Sequence, residues 1–180
     1  MSSLERLGPL QVLTGWASSM GAFKRNKCRP QKKVIAAALC NAGYSYREVA
    51  NMVGGLSYVG ARDAYIAMLT SLPEERKRER REVAIDGEDV EVEGRMFHLW
   101  LARDVESGEI MSFHASPRPT AEDGARFLST IGALCTNRPV ARIGTGQNLP
   151  KEIINLDLYF RRSASLSIVE RIGKLLFPST

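Results

Sequence analysis

The sequence predicts an α/β protein of the α+β type, with a group of helices followed by a mixed sheet. Over residues 30–72 apolar side chains recur every three to four positions, which is the helical period, whereas over residues 83–143 they largely alternate with polar ones, as in strands. Charge divides at the same place. Residues 1–82 carry 14 basic and 7 acidic side chains, and residues 83–180 carry 11 and 13.

Residues 30–72 are predicted to form three helices. The first covers Lys32–Ala42, the second opens with a capping box formed by Ser45 and Glu48, and the third covers Tyr58–Leu69. A glycine pair beginning at Gly54 makes the turn between the last two. This arrangement favours a helix-turn-helix that binds DNA, although a plain three-helix bundle explains the same spacing.

The second half begins with a predicted meander of antiparallel strands. Val83–Asp86 is a short apolar strand, and the alternation continues through Asp89–Gly94. Further strands are predicted at Phe97–Asp104 and Glu109–Ala115, separated by a turn that contains Ser107 and Gly108. The inner side of the first hairpin is expected to hold the valines and its outer side the glutamates.

A helix and another strand follow the meander. A capping box at Thr120–Asp123 opens the helix, and Val140–Ile143 is the strand. Helical patterns return at Leu149–Leu156 and Ser165–Phe177. Three antiparallel strands, a crossover helix, a further strand and flanking helices follow the order of a ribonuclease-H-like domain.

Two segments resemble parts of DDE insertion-sequence transposases. The first, VAIDGEDVEVEGRMFHLWLARDVESGEIMSFHASPRPTAEDGARFL, is similar to their ribonuclease-H-like catalytic domain, in which an Asp ends the first strand and an aromatic-Leu-Trp strand follows. The second, AGYSYREVANMVGGLS, is similar to the helix-turn-helix of transposases and repressors. The resemblance implies double-stranded DNA, such as transposon ends, as the partner. It also implies a homodimer or larger assembly.

In that family three carboxylates hold two Mg²⁺ ions that activate the attacking and leaving oxygens. The resemblance assigns catalytic and metal-binding roles to Asp86 and Glu170, with Mg²⁺ as the cofactor of any remaining activity. Thr145 stands where the second Asp is expected. A neutral hydroxyl is a weak Mg²⁺ ligand, so strand transfer is expected to be impaired. A rescue in which Asp104 or Asp157 supplies the ligand is the alternative.

Ten side chains are candidates for contact with DNA because they are basic or aromatic and lie in or beside the helical region or near the expected catalytic rim. They are Lys24, Arg25, Lys27, Arg29, Arg47, Tyr58, Arg62, Arg118, Arg161 and Arg162. The alternative is that they form a solvated basic surface that does not bind DNA. The third helix is poor in base-reading side chains, and Asp63 in it opposes phosphate.

The expected organisation has four parts. Residues 1–29 form a basic N-terminal arm, which touches phosphates or is a solvated tail, and residues 30–72 form the helix-turn-helix domain. Residues 73–82 form a charged, solvated linker. The alternative is that this segment contacts the DNA backbone. Residues 83–180 form a ribonuclease-H-like domain, which is expected to be shortened relative to the family.

Other function classes find little support. Cys28, Cys40 and Cys135 lack the spacing of a disulfide framework or a zinc site, and His98 and His114, on neighbouring strands, are expected to pack together. No apolar run is long enough for a membrane span and the N-terminal residues lack the pattern of a signal peptide, so a cytoplasmic, nucleoid-associated protein is expected. No cofactor fingerprint suggests a small-molecule substrate.

Two functions therefore stand open. The first is an enzyme that cleaves and joins DNA, with the helix-turn-helix holding the transposon end. The second is a non-catalytic transposase-derived protein that binds DNA as a repressor or architectural factor. Thr145 argues against the first, whereas the presence of Asp86 and Glu170 argues against complete decay.

Overall fold

The computed structural model describes residues 7–23, 27–74, 76–143 and 159–162. Within them the helices are α1 (Pro9–Ser19), α2 (Pro30–Asn41), α3 (Tyr46–Val53), α4 (Tyr58–Thr70) and α5 (Ala121–Ala133). The strands are β1 (Glu82–Val92), β2 (Arg95–Asp104), β3 (Ile110–Ser116), β4 (Val140–Ile143) and β5 (Arg161–Arg162). The predicted α+β class is confirmed, and the helical patterns predicted beyond residue 143 lie outside the described residues.

The strands form one mixed sheet in the order β3-β2-β1-β4-β5. β1, β2 and β3 are antiparallel neighbours, as the alternating segments predicted, and β4 lies parallel to β1 on its other side. Helix α5 connects β3 to β4. Because Ile85 pairs with Ile143, the end of the described part of β4 lies one position before Asp86 of β1.

Strand β1 is longer than predicted, since the short apolar strand and the alternating segment after it are continuous. Gly87 at their junction is tightly packed, and an added Cβ there would lie 2.9 Å from His98 Nε2. At the hairpin tip Glu93 and Gly94 both have positive φ values, 51° and 73°. Two such residues give the tight turn that matches the twist of paired strands.

Each face of the sheet carries its own hydrophobic layer. On one face residues of all three antiparallel strands, among them Val90, Leu99 and Phe113, share a single core with buried residues of helices α1 to α4. On the other face α5 covers a second core that includes Trp100 and Phe127. The expected division into a helical domain and a separate sheet domain is therefore corrected, because the helices bury their apolar sides directly on the sheet.

The expectation of an arm over residues 1–29 is wrong for α1. Helix α1 begins with a proline, a residue favoured at the first helical position. Its Leu13 and Ala17, four residues apart, lie on one side and are buried, so the helix packs inward. The Trp16 ring lies 6.3 Å from that of Phe113, and the Leu10 amide donates to Glu88 Oε2 at 2.9 Å. This segment is part of the core.

The charged run before β1 is also more ordered than a solvated linker. The Arg78 amide donates to the Leu134 carbonyl and the Arg78 carbonyl accepts from Thr136, so the chain runs alongside the end of α5. The Arg80 side chain is 0% exposed and forms an ion pair with Asp104. The linker prediction is corrected here, since attraction to buried carboxylates draws the run into the fold.

None of the helices in the described ranges combines the length and the apolar character that crossing a membrane requires.

Candidate functional site

Asp86 lies within β1, next to the end of β4. Its side chain is on the same face of the strand as Glu82, four residues earlier, because side chains alternate along a strand. On the neighbouring strand Arg103 pairs with Ala84 and therefore lies diagonally across from Asp86. Arg103 Nη2 lies 3.4 Å from Asp86 Oδ2. The candidate catalytic carboxylate is thus already in contact with a cation of the chain.

A second pair of the same kind lies beside the first. Arg142 of β4 also pairs with Ala84, from the other side, and its Nε donates to Glu82 Oε1 at 2.8 Å. We refer to Glu82, Asp86, Arg103 and Arg142 as the Asp86 surface. Its two carboxylates are matched by two guanidinium groups, so the formal charge of this surface is zero.

The Asp86 surface is a poor fit to a pair of magnesium ions. Among the described residues no group of three His, Cys, Asp or Glu side chains is arranged to hold a metal ion. Two-metal sites place cations about 3.5–4 Å apart, which requires several oxygen ligands with surplus negative charge. Thr145 and Glu170 lie outside the described residues. The carboxylates described here are paired with arginines, which leaves no such surplus.

Asp104 has a different role from that of a substitute metal ligand. Successive residues of a strand face opposite sides, so Asp104 faces away from the Asp86 surface. Its Oδ1 accepts from the amides of Glu106 and Ser107, at 2.9 and 3.3 Å, so Asp104 caps the β2–β3 turn. Burial alone would raise the pKa of Asp104, but hydrogen bonds from Arg80, these two amides and Arg78 hold it below its ordinary value.

The two histidines lie in the layer beneath α5, offset along neighbouring strands. His98 Nδ1 is 2.7 Å from Asp89 Oδ1, and its ring meets that of Trp100 edge-on at 4.8 Å. The His114 ring lies 5.0 Å from that of Phe127. Burial lowers the pKa of His114 to about 4, and the nearby charge of Arg126 acts in the same direction. His114 is therefore a neutral packing group near neutral pH.

Helices α3 and α4 form the candidate recognition unit. The predicted capping box is confirmed, since Ser45 accepts from the Glu48 amide while the Glu48 carboxylate accepts from the Ser45 amide. Gly54, at the end of α3, has a φ of 72°, which favours glycine. The guanidinium of Arg47 lies 5.9 Å from the Tyr58 ring centre, so these two candidates lie together across the turn.

A groove opens beside the first turn of α4. Two lysines, Lys27 and Lys33, line it together with Ser57, Gly60 and Asp63, and we call this set the α4 groove. Its volume is about 400 Å³, and apolar residues, Phe23 among them, form the rest of its wall. Gly60 belongs to the first turn of the helix, where backbone N–H groups give a partial positive charge. The groove therefore combines two ammonium groups with a helix N-terminus.

Other DNA candidates are spread over the molecule. Arg62 is exposed and lies 3.9 Å from Asp63, a weak surface pair. Arg118 is exposed after β3, whereas Arg161 lies in β5, where its Nε donates to the Arg138 carbonyl. Because β3 and β5 are the two edges of the sheet, about four strand spacings or roughly 19 Å separate them.

The remaining DNA candidates lie at the start of α2, in β5 or outside the described residues. Arg29 is exposed at the N-terminal end of α2, and Arg162 belongs to β5. Lys24 and Arg25 lie outside the described residues. Of the ten candidates, Lys27 lies in the α4 groove, and Arg47 and Tyr58 contact each other beside the same helix.

Sequence reasoning missed two residues of these surfaces, Lys33 of the α4 groove and Arg103 of the Asp86 surface. Lys33 was hidden within the helical pattern of α2, although it lines the α4 groove. Arg103 was missed because its contact with Asp86 depends on strand register. Alternation could have suggested the contact, since both residues occupy the same face of an antiparallel pair.

The β1–β2 hairpin fixes the helices to the sheet. Glu93 at its tip forms a 2.6 Å ion pair with Lys32 of α2. Arg95 Nη1 donates to the carbonyls of Asn51 and Met52 at 2.6 and 2.7 Å, which satisfies two acceptors in the last turn of α3. The candidate recognition unit is thus held in a defined position on the sheet.

No protein-family model matches the chain. An uncharacterized protein of the archaeon Methanocaldococcus jannaschii is 28% identical over 143 residues, which cover 78% of this chain and 67% of that protein.

Proposed function

We propose that this protein binds duplex DNA through the α4 groove and the adjoining surface of α3 and α4. We further propose that it is related to DDE transposases but lacks their cation-dependent strand transfer. The observation that carries the DNA-binding proposal is the grouping of Lys27 and Lys33 at the first turn of α4, in the half of the chain that carries the basic excess.

Electrostatics support this choice of surface. Phosphates are attracted to lysines and to helix N-termini, and such contacts supply most of the sequence-independent affinity for DNA. Tyr58 follows Ser57 of the groove at the start of α4 and contacts Arg47 of α3, so the surface extends from the groove toward α3. Asp63 at the groove is the one acidic neighbour among its lining residues, and Arg62 lies 3.9 Å from it.

The fold supports the relationship to transposases. Three antiparallel strands, a crossover helix and a parallel fourth strand beside the first give the sheet order β3-β2-β1-β4-β5. This is the strand order expected of a ribonuclease-H-like domain. Asp86, to which the resemblance assigns the role of the first catalytic carboxylate, lies in the middle of β1 and not at its end, one position beyond the residue that pairs with Ile143 of β4.

A non-catalytic DNA-binding role, as a repressor or architectural factor, is the better supported function. Thr145 stands at the position of the second carboxylate, and Arg103 is paired with Asp86. An active strand transferase is the second candidate, favoured by the presence of Asp86 and Glu170 at matching positions. Such an enzyme would nick DNA with Mg²⁺ or Mn²⁺, and the Asp86→Ala variant would not.

Substituting both lysines of the α4 groove is expected to weaken DNA binding and its salt dependence. Because each lysine contacts phosphate in this proposal, Lys27→Gln/Lys33→Gln should reduce the slope of log affinity against log salt by about 2. The loss should be similar for unrelated duplex sequences. Fluorescence anisotropy of a labelled duplex, titrated with protein at several salt concentrations, measures both quantities.

The matched control is Lys77→Gln/Arg81→Gln, which removes the same charge from two exposed residues before β1. Equal losses in the two double variants would show that net charge, and not the α4 groove, governs binding. Point substitutions are required because residues 1–72 supply much of the core shared with the sheet. Deleting them would remove that part of the core.

A further inference from the structure

We infer that Arg103 takes the position of a divalent cation beside Asp86, so that this carboxylate is neutralised within the chain and binds neither Mg²⁺ nor Mn²⁺. The inference rests on the proposed relationship to transposases only in identifying Asp86 as the carboxylate that would bind metal. Its physical basis is the contact between the two side chains.

The Asp86–Arg103 pair is partly shielded from water. The Asp86 and Arg103 side chains are 29% and 22% exposed, and Nη2 lies 3.4 Å from Oδ2. Arg103 Nε is buried and has no hydrogen-bond partner among the described residues. Partial burial reduces solvent screening, so the attraction between these charges is stronger than in an exposed pair.

A guanidinium group excludes a metal ion more effectively than other cationic groups. Arginine remains protonated at all relevant pH values, so it cannot give up its charge to admit a cation. A divalent ion bound at Asp86 Oδ2 would lie within a few ångströms of that charge. The remaining carboxylate of the Asp86 surface, Glu82, is itself bonded to Arg142 and does not offset the repulsion.

Arg103 also holds two strands together. The pair links neighbouring strands diagonally on one face, an arrangement that stabilises antiparallel sheets when the charges are opposite. Asp86 then serves the fold, and its position in the strand no longer requires catalysis to explain it.

The test is a Mn²⁺ titration of the full chain, followed by water-proton relaxation enhancement. Wild-type protein should show no saturable Mn²⁺ binding at Asp86. Arg103→Met should bind Mn²⁺ at least about tenfold more tightly than the wild type, since a nearby guanidinium lowers the proton affinity of a carboxylate by about one to three orders of magnitude and repels a metal ion through the same charge. Arg103→Met/Asp86→Asn should lose that site, and Arg103→Lys, which keeps the charge, should resemble the wild type.

Either of two results would overturn the inference. One is saturable Mn²⁺ binding by the wild type that disappears in Asp86→Asn, and the other is no gain of binding in a folded Arg103→Met variant. Circular dichroism of each variant establishes that it is folded. If Arg103→Met does not fold, the wild-type and Asp86→Asn titrations decide the question by themselves.

DNA binding by the same proteins separates this inference from the proposed function. If either of those two Mn²⁺ results is obtained with proteins that still bind duplex DNA, only the role of Arg103 is refuted. The expected Mn²⁺ results in a wild-type protein that does not bind DNA would support the role of Arg103 and refute the proposed function.

Discussion

Replacing Arg80 with methionine is expected to lower the free energy of unfolding by about 3–5 kcal/mol, because it leaves buried carboxylate charge without its partner. Arg80 Nη1 lies 2.6 Å from Asp104 Oδ2 and 3.4 Å from Glu109 Oε2, while Nη2 donates to the Arg76 carbonyl at 2.6 Å. The Asp104 side chain is 5% exposed and that of Glu109 11%. Neither carboxylate can be fully rehydrated without disturbing the fold.

Urea denaturation followed by circular dichroism at neutral pH measures this loss. The control is Arg81→Met, one residue further on, where the side chain is exposed and the same change should shift stability by no more than about 0.5 kcal/mol. A loss at Arg80 no larger than that at Arg81 would contradict the assignment of the buried ion-pair cluster. Arg78, which contacts the same two carboxylates from the surface, is expected to compensate only in part.

Leu39→Ala is expected to lower the free energy of unfolding by about 2–5 kcal/mol, the range for removing a fully buried leucine. Leu39 is 0% exposed and lies in α2, where every residue from Val34 to Cys40 is buried. This helix packs on the sheet as well as on α4, and Asn41 at its end donates to the Phe113 carbonyl at 2.8 Å. The substitution should therefore destabilise helices and sheet together.

Tryptophan fluorescence during urea unfolding tests that coupling. The sequence contains two tryptophans, Trp16 in α1 and Trp100 in β2, so Trp100→Phe reports on the helices and Trp16→Phe on the sheet. Leu39→Ala should lower the stability measured by both reporters equally. Ile66→Ala, at a position 40% exposed, should have an effect within about 0.5 kcal/mol. A loss seen only by Trp16 would show that the helices unfold independently.

Local signals in the sequence predicted most of the individual elements. Ser45 and Glu48, and Thr120 and Asp123, form the capping boxes that begin α3 and α5. The exposed glutamates and buried valines at the end of β1 follow the predicted alternation. These features depend on residues only a few positions apart, so the sequence carries them directly.

Long-range packing could not be predicted in the same way. The charged run containing Arg80 has the composition of a solvated helix, and its burial depends on Asp104 and Glu109, which lie 24 and 29 residues away. The inward packing of α1 likewise depends on contacts such as that between Trp16 and Phe113. Nothing within either segment identifies its distant partner.

The candidate site was predicted only in part. The sequence identified Asp86 but not its pairing with Arg103, which depends on the strand register. It selected Lys27 as a DNA contact but not Lys33, whose place in the α4 groove depends on how α2 and α4 pack. Individual residue types suggest the chemistry, whereas grouping them requires the fold.

Hydrogen–deuterium exchange with and without duplex DNA is the most direct test of the proposal that the α4 groove binds DNA. DNA is expected to slow amide exchange at residues 27–29 and 57–62, because phosphates would cover the lysines and the first turn of α4. Exchange over α5 (Ala121–Ala133), on the opposite face of the sheet, should remain unchanged. Protection confined to α5, or none at residues 57–62, would contradict the proposal.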